Sequence, residues 1–189
     1  MFLLILGIVI FLGVHTLTTF RETRTGLIEK YGASGYKAAY SIASLIGLVL
    51  IVYGFGVYRA GGYIPVWSPP FAMAYVAAPL TWIAFVSLAA AYSPNGKIKS
   101  TLKHPMLVGV KAWALAHLLA NGDLGSMILF GSFLAWSVYD RIMVKKRGDT
   151  GPRAASFGTG DWIAIGAGTV AWLAFFAFHK ALIGVRVLL

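Results

Sequence analysis

Five ionisable side chains lie in or against apolar sequence: His15, His104, Lys111, His117 and His179. An ionisable group is costly inside a bilayer, so each needs a partner, a polar cavity or a ligand. The chain has no cysteine, which removes disulfides, thiolate metal sites and cysteine nucleophiles. Neutral imidazoles on different helices of a bundle are then the donor set suited to the iron of haem b, which takes two axial nitrogens. His15 and His117 both fall within apolar stretches and are the first candidates. The competing role for any single histidine here is a hydrogen bond to a neighbouring helix.

Helical geometry sorts the rest. His104 and His117 are 13 residues apart, which is about 20 Å along a helix and on nearly opposite faces, so they cannot share one iron. Measured from the apolar boundaries, His15 lies about 8 Å and His117 about 18 Å from the same membrane face. His179 is nearer in depth to His117 and stands as a substitute ligand. Lys111 follows His104 by seven residues, on the same face and about two turns on. It is either a lysine snorkelling to the headgroups or a counter-ion for a buried anion such as a haem propionate.

The elements that carry these residues belong to an integral membrane protein. Of 189 residues, 59% are hydrophobic and 12% charged, too little polar surface to cover a soluble globule. Six apolar segments can be cut from it: 2–20, 38–58, 71–92, 105–120, 124–139 and 162–178. The first three match the roughly 20 helical residues that cross a hydrocarbon core. The fourth and fifth have 16 residues each and would cross by local thinning of the bilayer or turn back as a re-entrant hairpin. Segment 2–20 lacks a basic leader and its apolar run exceeds that of a secretory signal, so it reads as a retained span. The expectation is an all-α bundle of about six transmembrane helices forming one domain over residues 1–189.

Charge sets the expected orientation. Twelve of the 16 lysines and arginines fall in 21–37, 97–103 and 141–153, whereas Arg59, Lys180 and Arg186 fall on the other side. By the positive-inside bias the first side is cytoplasmic, and both termini lie on the non-cytoplasmic side. The net charge of +10 is thus a topology signal. It does not point to nucleic acid, because the charges flank apolar spans and no groove-entering or base-stacking motif accompanies them.

Local chemistry marks the boundaries. Residues 21–37 read as a cytoplasmic loop with Gly32 and Gly35 as breakers, and 61–70 as an ordered or interfacial loop carrying Tyr63 and Trp67. Ser93-Pro-Asn-Gly closes the third span, and Pro105 suits the first turn of a new helix, with His104 just before it. Asn121-Gly-Asp is a tight turn with Asp123 as N-cap, and Asp161 is expected to cap the last span. Residues 145–161, basic and glycine-rich, are the least ordered by composition. Gly47, Gly54, Gly56, Gly125 and Gly131 are suited to close helix contact.

Four stretches together carry a family resemblance: KHPMLVGVKAWALAHLLANGD, LAWSVYDR, VHTLTTFR and HKALIGV. Over essentially its whole length the chain resembles the NnrU family of bacterial membrane proteins. That resemblance implies an inner-membrane location, a link to denitrification and nitric oxide metabolism, and partners among the nitric oxide and nitrite reductase machinery. The chain is also similar to 15-cis-zeta-carotene isomerase, a membrane haem b enzyme. Transferred by motif, the two haem-ligating histidines of that enzyme fall on His15 and His117. The histidine of its HP motif falls on His104, a supporting residue. Its alternate thiolate ligand falls on Ala114, so a ligand exchange through sulfur is lost. A shorter similarity links KHPMLVG to membrane methyltransferases, without their carboxylate-rich continuation.

Three functions compete at this level. The first is a haem b membrane protein supporting nitric oxide or nitrite metabolism, ligated by His15 and His117, with Lys111 and cytoplasmic basic residues facing the propionates. The second is a haem-dependent cis-trans isomerase of a carotenoid-like lipid. The third is a cofactor-free membrane assembly factor.

Overall fold

The computed structural model describes residues 1–185 and 187; Arg186 lies outside them. Among the described residues the fold is all-α. The helices are α1 (Phe2–Leu17), α2 (Arg21–Ala60), α3 (Ala72–Tyr92), α4 (Lys97–Leu102), α5 (Pro105–Ala120), α6 (Leu124–Lys146) and α7 (Thr159–Ile183). Four of them, α2, α3, α6 and α7, are long and apolar enough to cross a membrane. The apolar helices α1 and α5 are shorter, at 16 residues each.

The largest departures from the expected boundaries are the start of α2 and the end of α6. Residues 21–37 are not a loop but the start of α2, broken only at Gly32 (φ 73°, ψ 158°). Arg-Glu-Thr-Arg and Leu-Ile-Glu-Lys-Tyr favour helix and contain no proline, so the glycines interrupt rather than abolish it. That backbone conformation is nearly exclusive to glycine, whereas Gly35 stays helical. Helix α6 runs on past Tyr139 to Lys146, with Lys145 and Lys146 in its last turn, where cations favour the C-terminal end of the helix dipole. The short α4 is a further addition.

The chain divides into two compact units, and each is described by itself. The first comprises residues 1–67 and 122–144. There α1 lies against α2 at backbone distance because glycines face each other's helices. A Cβ at Gly7 would stand 2.6 Å from the Ile51 nitrogen, and one at Gly47 2.7 Å from the Phe11 nitrogen. Gly54 meets the Leu3–Leu4 backbone, and Gly125 meets the Tyr58 ring. Gly56 and Gly131, expected to do the same, have open space around them. The loop after α2 is ordered by hydrogen bonds: Ile64 N–H donates to the Tyr58 hydroxyl at 2.9 Å, and the Val66 and Trp67 N–H groups donate to Gly122 O at 2.8 and 3.0 Å. Asp123 accepts the Ser126 N–H at 2.9 Å, the cap expected for α6.

The second unit comprises residues 68–121 and 145–189. Pro105 opens α5 with His104 as N-cap residue, as its spacing implied. Asp161 is not the cap of α7: Gly158 holds that position and Asp161 sits three residues in. Its carboxylate accepts the N–H groups of Gly158 at 2.9 Å, Lys97 at 3.0 Å and Ile98 at 2.6 Å. One buried acid therefore satisfies orphan donors at the starts of both α4 and α7. Reciprocal indole bonds join α3 to α7, from Trp172 Nε1 to Thr81 Oγ1 at 3.0 Å and from Trp82 Nε1 to Thr169 Oγ1 at 2.9 Å.

Candidate functional site

In the first unit, His15 occupies the last turn of α1. Its Nδ1 lies 2.7 Å from Phe11 O. A carbonyl oxygen only accepts, so in the neutral ring Nδ1 carries the proton and Nε2 keeps the lone pair. Aromatic rings surround it: Phe11 stacks at 4.2 Å between centroids, Tyr40 is tilted at 5.3 Å, and Trp136 meets it edge-on at 5.7 Å. The Trp136 Nε1–H is buried without a hydrogen-bond partner among the described residues. An orphan buried donor costs about 1–3 kcal/mol, and an acceptor arriving beside His15 would relieve it.

In the second unit, His117 occupies the last turn of α5, with Nδ1 2.8 Å from Trp113 O and the Trp113 ring at 5.3 Å. The same tautomer follows, with the lone pair on Nε2. Ala114 and Ala116 beside it are fully buried. His15 and His117 thus share one local device, an aromatic residue four positions earlier whose carbonyl fixes the imidazole. Metal-ligating histidines are oriented in this way, and the bond raises the basicity of the remaining nitrogen. The pattern aromatic-x-x-x-His is present at 11–15 and 113–117, and also at 175–179, where His179 bonds Val185 O instead. Tyr40 and Trp136 had no local signal, because they come from other helices.

The other candidates, all in the second unit, divide by role. His104 Nε2 lies 3.3 Å from Asp149 O and 3.8 Å from Asp149 Oδ1, so this histidine fastens the segment after α6 to the start of α5. Gly151 packs against the Lys103 backbone in the same place. That segment is anchored further by Asn95 Nδ2 donating to Arg153 O at 3.0 Å. Lys111 is half-buried on α5. His179 Nδ1 donates to Val185 O at 2.6 Å.

No group of three or more histidines and carboxylates able to hold a bare metal ion occurs among the described residues. Haem makes a smaller demand, axial nitrogens in apolar surroundings, and the tautomer of each of His15 and His117 leaves one such nitrogen, Nε2.

A family model described as NnrU protein matches residues 3–187. The chain belongs to the NnrU family. The NnrU match spans both units and takes in His15, His104, Lys111, His117 and His179. No curated protein and no solved structure matches the chain.

Proposed function

We propose that this NnrU-family chain is a multi-span protein of the bacterial inner membrane that binds haem b through His15 and His117 and supports nitric oxide or nitrite metabolism. The observation that carries the proposal is the shared fixation of both imidazoles by the carbonyl four residues back. The orphan Trp136 indole beside His15 adds to it. Haem b held there would supply one-electron chemistry at an iron. The protein's part is to orient two Nε2 lone pairs, to exclude water with the rings of Phe11, Tyr40, Trp113 and Trp136, and to neutralise propionates with Lys111 and the basic residues near it. His104 would position the start of α5.

The proposed topology has six spans, with α1 and α5 as the short ones and both termini on the non-cytoplasmic side. Sixteen residues of helix reach about 24 Å against a core of about 30 Å, so those two would thin the bilayer around them.

A second ligand set has one observation in its favour. His179 shares a unit with His117, so His117 and His179 are the alternative pair. The isomerase function is disfavoured because Ala114, where a thiolate would be needed, is fully buried and offers no ligand.

The test is a reduced-minus-oxidised absorption spectrum of the detergent-purified protein with pyridine haemochrome quantitation. About one haem b per chain is expected. None after haem supplementation would overturn the cofactor proposal and favour the assembly-factor function.

A further inference from the structure

The first unit contains a cleft of about 460 Å³ between the C-terminal half of α1 and the kinked region of α2. Val14, Leu17 and Leu27 supply aliphatic walls, and Tyr36 and Tyr40 supply aromatic ones. The size suits a small organic ligand rather than a single water. The kink at Gly32 shapes it, because Leu27 comes from the helix before the kink and Tyr36 and Tyr40 from the helix after it.

Three features specify the ligand. The side chains that line the cleft are apolar or aromatic and none is charged, which favours a neutral head. The rings of Tyr36 and Tyr40 are stacked near-parallel, 25° apart with centroids at 6.3 Å, and both contribute to the lining. The Tyr36 hydroxyl, finally, is buried and has no hydrogen-bond partner among the described residues. A buried hydroxyl without a partner is rare and costly, and a carbonyl oxygen entering the cleft would satisfy it. Arg24 sits over the outer face of this tyrosine, 5.6 Å from its ring centroid, and holds the ring in place by a cation–π contact.

We propose that this cleft binds the head of a lipid-soluble quinone: a neutral, planar ring whose carbonyl accepts a hydrogen bond from Tyr36 and whose tail leaves between apolar helices. Tyr40 forms part of the cleft and also packs on His15, so a bound quinone would be separated from the histidine by a single ring. Binding does not require iron at His15, and the proposal stands apart from the haem assignment.

The experiment uses the full chain in nanodiscs, photolabelled with an azido-substituted short-chain quinone and mapped by mass spectrometry. Labelling is expected within residues 14–43 and should be competed by unlabelled quinone. Tyr36→Phe should weaken competition about tenfold, the value of one good hydrogen bond in an apolar site. Ala43→Trp, which fills the cleft, should abolish specific labelling, and far-ultraviolet circular dichroism would show that both variants fold. Labelling of the full chain prepared without haem should be unchanged, which separates failure here from failure of the haem proposal. Labelling outside 14–43, competition by phospholipid alone, or undiminished binding by Tyr36→Phe would each overturn the assignment. The last result would mean a ligand, such as a polyene, that accepts no hydrogen bond.

Discussion

His15 and His117 hold their imidazoles in the same way, yet the walls around them differ. His15 is ringed by Phe11, Tyr40 and Trp136 drawn from three helices. At His117 the Trp113 ring comes from the same helix, with the fully buried Ala114 and Ala116 beside it. The first setting depends on glycine-mediated contact of α1 with α2, whereas the helix that carries the second packs on α3, where a Cβ at Gly109 would stand 3.0 Å from Ala84 O. Orientation of a ligand can therefore be local while its solvent exclusion is not.

The strongest way to break the comparison is to remove each imidazole. His15→Ala and His117→Ala should each abolish the Soret band, and His179→Ala should preserve it. Retention in His15→Ala with loss in His179→Ala would transfer the iron to the second pair. Next in size, Gly54→Val should drive a side chain into the Leu3–Leu4 backbone, an overpacking cost of about 1–3 kcal/mol. Thermal melting in detergent should fall, and haem should be lost at a lower temperature.

Smaller effects would sharpen the comparison. Phe11→Leu and Trp113→Leu keep both carbonyls and remove the rings, so each should weaken haem retention by about 0.5–1.5 kcal/mol, the value of an aromatic contact. Competition with apomyoglobin measures it, and a much larger effect at position 11 would show that the His15 setting relies on its ring stack. His104→Gln should have the smallest effect. Its long, partly exposed pairing with Asp149 belongs to a class contributing about 0–1 kcal/mol, and haem content should stay at the wild-type level.

Much of this was legible in order of residues alone. The apolar runs, the starts at Pro105 and Leu124, and the Asn121-Gly-Asp turn follow from composition and short-range chemistry, which needs no knowledge of neighbours in space. The helical N-terminal part of α2 was misread because glycine content was taken to outweigh helix-favouring flanks. Asp161 lies three residues past the N-cap position expected for it, and its service to α4 depends on a helix more than sixty residues earlier, which no local pattern shows.

The sequence by itself determined that this is an all-α membrane-type chain of the NnrU family with few ionisable groups in apolar surroundings. Four-residue spacing did not determine which carbonyl holds a histidine, since His179, also within a helix, bonds Val185 O and not the carbonyl four residues back. Only the tertiary structure decided that Trp136 and Tyr40 close around His15, that the Gly32 kink opens a cleft, and that the hydroxyl of Tyr36 is left without a partner. These depend on which side chains other helices bring near, and that is fixed by packing across long separations in the chain.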